Sequence, residues 1–168
     1  MQRRSLLKLG IVSAAVLGVA GAAWWSWRPA LVGARLSPDG RQVASAVAQA
    51  VLDRLMPTEP AARAAALERH LSRFDVTLSG LPPHLLAEVT QLLTVLASPP
   101  GRRGLAGLAA PWPQASAAEV RAALQDMRTS SLALRQQAYH ALRDLTNAAW
   151  FSDPEAWVAI GYPGPQDI

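Results

Sequence analysis

The chain has 168 residues, enough for one domain with its own core and short for two. Hydrophobic residues make up 51% of it, but Ala and Leu dominate that share while Phe and Tyr number two each, a composition that favours helices because Ala and Leu lose little side-chain freedom there. The net charge of +4 sits in the first 28 residues, where Arg3, Arg4, Lys8 and Arg28 meet no acid; the other 12 basic side chains balance the 12 acidic ones, which removes the electrostatic footprint of a nucleic-acid-binding protein, and the absence of cysteine excludes disulfides, thiolate metal sites and thiol catalysis.

Residues 1–27 read as a leader. A basic tip is followed by the uncharged stretch "LGIVSAAVLGVAGAA" from Leu9 to Ala23 and by small residues at its end, the three-part pattern of a signal peptide. The start is similar to a twin-arginine export signal, whose pattern is Ser/Thr-Arg-Arg-x-Phe-Leu-Lys. Arg3, Arg4, Leu7 and Lys8 match it, while Gln2 stands at the first position and Leu6 where Phe is commonest. The similarity implies that the twin-arginine translocase carries the protein, already folded, to the periplasm. Proteins need that route when they hold a cofactor or travel bound to a partner that does. Ala20 and Ala22 offer a small-x-small cleavage site. Kept intact, Leu9 to Trp27 supplies 19 uncharged residues, roughly 28 Å as a helix and close to one bilayer core. That would be an inner-membrane anchor with Trp24, Trp25 and Trp27 at the interface. Cleavage and retention both stay open.

The helical domain is expected over residues 37–168. After the spacer "RPALVGAR", Ser37 is an N-cap with Pro38 at the first helical position. Val43, Val47, Val51, Leu52 and Leu55 then recur at helical spacing, which predicts a helix over about 39–56. "AARAAALERHLSRFD" (61–75) predicts a second, with Ala62, Ala66, Leu67, His70, Leu71 and Phe74 on one face, and "LSGLPP" breaks it. Pro83 begins a third, with Leu85, Leu86, Val89, Leu92, Leu93 and Leu96 inward, ending at "SPPG".

The stretch 99–116, "PPGRRGLAGLAAPWPQAS", reads as a long loop, either a contact surface or a poorly ordered connection with Leu105, Leu108 and Trp112 tucked onto the core. Ser116 and Glu119 form a capping-box pattern that starts a fourth helix through Val120, Leu124 and Met127. A fifth runs from about Ser131 to Trp150 with Leu134, Ala138, Leu142, Leu145 and Ala149 on one side. A short sixth starts with Asp153 as N-cap and Pro154 at its first position, and Gly161 and Pro163 stop it. No strand alternation persists, so the expected fold is all-α, five to six helices around a single core.

Convergent titratable groups are the mark of an active site, and none is visible. His70, His84 and His140 fall on separate helices without metal-binding spacing, and a surface or interface position is expected for each. Acids are scattered singly among arginines, the pattern of a solvated helix face. Arg102 and Arg103 lie in a Gly-rich loop but lack the strand context of a phosphate cradle. No catalytic, cofactor-binding or metal-binding residue is assigned in this chain.

The C-terminal stretch "YHALRDLTNAAWFSDPEAWVAIGYPGPQ", Tyr139 to Gln166, joins an aromatic-ended helix, a Pro-started short helix with Trp157, and "GYPGP". It resembles the end of the gluconate 2-dehydrogenase subunit 3 family, and "VLDRLMPTEP" upstream resembles that family's early helix-to-proline segment. "TEPAAR" follows where the family often has Pro-Gly-Ala. The likeness spans about residues 40–166. The family's members are small subunits of periplasmic FAD-dependent dehydrogenases whose large subunit belongs to the glucose-methanol-choline oxidoreductase group.

The resemblance implies that this subunit carries the export signal, with Arg3 and Arg4 as recognition residues, and escorts a flavoprotein that has none. FAD would sit in the partner, with a cytochrome c subunit as a further associate. Trp150, Phe151, Trp157, Tyr162 and Pro163 become candidate partner contacts, along with Trp112. Clustered aromatics at a chain end either close a core or anchor an interface. The alternative is a membrane-anchored periplasmic scaffold with no enzyme partner.

Overall fold

The computed structural model describes residues 28–158 and 160–164. Residues 1–27, with the positions read as an export signal, cleavage site and anchor, lie outside the described residues. The rest is all-α, with one very small sheet.

The body begins ahead of Ser37. Leu31–Val32 (β1) and Arg35–Leu36 (β2) form an antiparallel hairpin within the spacer, pairing Leu31 with Leu36 and Val32 with Arg35. Gly33 turns it at φ +63°, a conformation glycine adopts without steric cost. Leu31 and Leu36 point into the core while Val32 and Arg35 point out. Strands of two residues carry no readable alternation, which is why the spacer reads as irregular.

The helices follow as α1 (Pro38–Val51), α2 (Pro60–Ser79), α3 (Pro83–Ala97), a single turn α4 (Pro99–Gly101), α5 (Ala117–Arg128), α6 (Ala133–Phe151) and α7 (Pro154–Val158). Proline opens α1, α2, α3, α4 and α7, a position where its missing N–H would have had no partner anyway. Ser37 Oγ accepts from Gly40 N, and Glu59 accepts from the N–H groups of Ala61 and Ala62. The Ser116–Glu119 capping box is complete in both directions. Helix α1 stops at Val51, before the expected end at 56, because Leu55 N and Met56 N both turn back to the Leu52 carbonyl. Pro57 then disfavours further helix. Helix α2 runs to Ser79 and stops within "LSGLPP", the expected break.

Helix α1 is the hub, touching α2, α3, α5 and α6, while α6 packs most extensively along α2. Its buried Ala44, Ala46, Ala48 and Ala50 let four neighbours approach closely, and Val43 and Val47 fill between them. The main core adds Leu71, Phe74 and Leu78 from α2, Leu93 and Leu96 from α3, Val120, Leu124 and Met127 from α5, and Leu142 from α6. A smaller cluster of Ala48, Leu52 and Met56 lies at the far end of α1 under Trp150. Ala62 is exposed rather than inward, and Leu85, Leu86, Val89 and Leu92 are only half-buried along α3.

The 99–116 stretch is folded onto the body. After α4, Arg102–Ala106 makes a π-helical turn and Gly107 leaves it at φ +74°. Leu108 and Trp112 are buried in the core, with Leu105 packed against it. Arg102 is itself buried; its Nε donates to the Leu108 carbonyl at 3.3 Å and its Nη2 to that of Ala109 at 3.2 Å. The guanidinium thus pins the loop from inside. Among the described residues no helix is long and apolar enough to cross a membrane.

Candidate functional site

The C-terminal aromatics meet at the end of α6, fastened to the body at two points and braced by contacts within the tip. Asp153 is almost buried, pairs with Arg73 of α2, and accepts from Glu155 N at 3.0 Å to cap α7. Trp157 Nε1 donates to the Phe151 carbonyl at 2.8 Å. The Trp157 ring meets Tyr162 edge-on, with centroids 5.4 Å apart, and Gly164 lies close against its face. Gly161, at φ +69°, makes the turn that brings Tyr162 back.

This arrangement joins Phe151, Trp157, Tyr162 and Pro163 at one end of the fold. Tyr162 and Pro163 are exposed, and Phe151 and Trp157 are half-buried. Two further residues escape a reading centred on aromatics. Val158 is 82% and Ile160 54% exposed, so the tip presents two aliphatic side chains within four residues of Tyr162. Their only sequence signal is their place at a short helix end, where an amphipathic period cannot be counted.

Trp150 and Trp112 take other places. Trp150 is half-buried and turns inward, its ring 6.0 Å from that of His70. Trp112 is a core residue, 4% exposed, with Nε1 donating to the Leu96 carbonyl at 2.7 Å. Of the two readings of the 99–116 stretch, the one that tucks Trp112 onto the core holds and the partner contact at Trp112 is corrected, because the indole N–H finds its partner on α3 and the ring goes inward with it.

His70 is likewise corrected. It is 1% exposed, edge-on to Phe74 at 6.0 Å, and neither ring nitrogen bonds to a protein group. Burial, followed by the nearby Arg73 charge, lowers its pKa to about 4. The imidazole therefore sits in the core as a neutral ring. His84 and His140 are exposed, as expected.

The other displaced titrations have structural causes. Arg63, seconded by Arg121, holds the Asp53 carboxyl below its usual range. Backbone N–H groups do the same for Glu59, as the Ser116 N–H and hydroxyl do for Glu119. These are ion pairs and helix caps, with no base held near a nucleophile. Among the described residues no group of three or more His, Asp or Glu is placed to hold a metal ion.

A groove of about 320 Å³ runs between α1 and the 112–117 segment. Gln42, Ser45 and Gln49 line one wall, Leu71 and Trp112 contribute apolar surface, and Arg41 pairs with Glu68 at 2.6 Å. Amides and a hydroxyl offer hydrogen bonds to a ligand, but both charges are spent on each other. The C-terminal tip is the stronger candidate because it exposes apolar surface on a fastened support. The chain matches no known protein family, no curated protein and no solved structure.

Proposed function

We propose that this chain is a non-catalytic helical subunit that binds, co-exports through the twin-arginine pathway and stabilises a FAD-dependent dehydrogenase of the glucose-methanol-choline group in the periplasm. The observation that carries the proposal is the fastened C-terminal tip, where Val158, Ile160 and Tyr162 are 82%, 54% and 47% exposed. Apolar side chains held outward on a rigid support are what a permanent partner covers. They lie in the segment that resembles the small-subunit family. The leader with Arg3 and Arg4 supports the export half of the reading. Electrons pass from substrate to FAD within the partner and on to a cytochrome or quinone; this chain supplies escort and stability.

Co-purification from the native host tests it. A tagged copy is expected to bring down a flavin-containing protein, and changing Arg3 and Arg4 together to Lys is expected to strand that protein in the cytoplasm. Capture of no flavoprotein, or its normal export with the double variant, overturns the proposal.

A further inference from the structure

The chain joining the leader to the body is short and rigidly held. Ala30 is fully buried, its N–H donates to Thr94 Oγ1 at 2.9 Å, and its carbonyl accepts from Ser37 N at 2.9 Å. Gly40 approaches so closely that a Cβ there would lie 2.2 Å from the Ala30 oxygen. Ala30 is thus a fixed point on the body, and only Arg28 and Pro29 separate it from Trp27. Three residue steps span at most about 10 Å. Whatever surface holds the tryptophans, the hairpin end of the body is kept beside it.

Trp24, Trp25 and Trp27 remain attached in either fate of the leader, since a cut after Ala22 leaves "AWWSWR" ahead of Pro29. Indole rings favour the headgroup layer of a bilayer over both water and hydrocarbon. The outward side of the hairpin has matching chemistry. Val32 is 72% exposed directly opposite the exposed Arg35. Val76, 70% exposed, stands next to Asp75, whose carboxylate accepts from Leu36 N at 2.8 Å. No acidic residue precedes Asp39 in the sequence. Val32 and Val76 would place apolar groups at the acyl boundary, and Arg28 and Arg35 at the hairpin would place cations at lipid phosphates, the Asp75 carboxylate being engaged by the Leu36 N–H.

We infer that the hairpin end of the body, with Arg28, Val32, Arg35 and Val76, is a membrane-facing surface that rests on anionic lipid headgroups, whether or not the leader is cut. The inference rests on the leader proposed above and adds which face of the fold meets lipid. It also places Thr58 on the far side, because the hairpin lies at the N-terminal end of α1 and Thr58 beyond its C-terminal end, about 20 Å along the helix.

A chain without cysteine allows single-site labelling. Full-length Val32→Cys, Val76→Cys and Thr58→Cys proteins, each carrying an environment-sensitive fluorophore, are reconstituted with vesicles of phosphatidylcholine and phosphatidylglycerol containing a headgroup-quencher lipid. Labels at 32 and 76 are expected to be quenched at least about twofold more than the label at 58. Two labelled positions keep the test decisive if one variant melts below the parent protein. Equal quenching at all three positions overturns the inference, as does full-length protein that fails to float with the vesicles. A co-purification without flavoprotein leaves the quenching pattern unchanged, so failure of the escort role and failure of this surface are told apart.

Discussion

The His70 ring lies 6.0 Å from that of Trp150, and both imidazole nitrogens and the indole N–H are buried without a protein hydrogen-bond partner. An unpaired buried polar group costs free energy, and a charged one costs far more. The pair therefore makes the α2–α6 contact dependent on His70 staying neutral. Arg73, one turn along α2, opposes a proton on His70 but is itself paired with Asp153.

Acid should unlock this contact. His70 has a pKa of about 4 in the folded chain against 6.5 for an unperturbed imidazole. Between those values the unfolded chain binds the extra proton, so stability is complete above pH 6.5 and falls as pH drops toward 4. The loss approaches roughly 3 kcal/mol. Urea unfolding at a series of pH values should show this slope, and His70→Leu should flatten it. The acid-side loss from Asp53, Glu59 and Glu119, whose pKa values are also lowered, should survive in that variant, because those carboxylates protonate at lower pH.

The hairpin should depend on Thr94. Its hydroxyl accepts from Ala30 N and donates to the Thr90 carbonyl, so Thr94→Val keeps the shape and strands a buried N–H. The expected cost is about 1–3 kcal/mol. Gly40→Ala should cost a similar amount, about 1–3 kcal/mol, by driving a Cβ into the Ala30 carbonyl. Hydrogen exchange at Ala30 and Ser37 should accelerate in both variants, and exchange within α5 should not.

Local chemistry explains what the sequence makes legible. Ser37, Glu119 and the proline starts act within one helical turn, so the beginnings of α1, α3 and α5 are readable without the rest of the chain. Hydrophobic spacing likewise identifies Leu71, Phe74, Leu124 and Leu142 as core. The helical period does place His70 on the buried face of α2, but its packing against Trp150, like the hairpin's bonds to Thr94 and Asp75, depends on groups from distant elements. No local period encodes such partners. The C-terminal tip is half legible: Asp153 reads as a cap, but its pairing with Arg73 requires α2 and α6 to lie side by side first.

Arg102 and Arg103 should behave oppositely. Arg102 is buried and supplies bonds to two loop carbonyls, whereas Arg103 is exposed. Arg102→Ala should cost roughly 2 kcal/mol and open the 107–113 segment to proteolysis, since two carbonyls lose their donor. Arg103→Ala should stay within about 0.5 kcal/mol. Denaturation midpoints and limited proteolysis of the two variants check both arms.

The tip should separate binding from folding. Val158 and Ile160 make their exposed surface available without supporting the core, so changing both to Asp should shift stability by no more than about 0.5 kcal/mol. If a flavoprotein covers these side chains, two buried, unpaired carboxylates should weaken the complex roughly tenfold or more. Asp153→Asn should act differently, because it removes the charge that pairs with Arg73. Helix α7 then loosens, and chymotryptic cleavage after Trp157 should rise in the free subunit. The two changes are compared by flavin recovered per tagged subunit and by thermal unfolding. Loss of flavin with an unchanged melting curve in the Val158→Asp/Ile160→Asp variant assigns the tip to the partner; unchanged flavin recovery there places the contact elsewhere on the body.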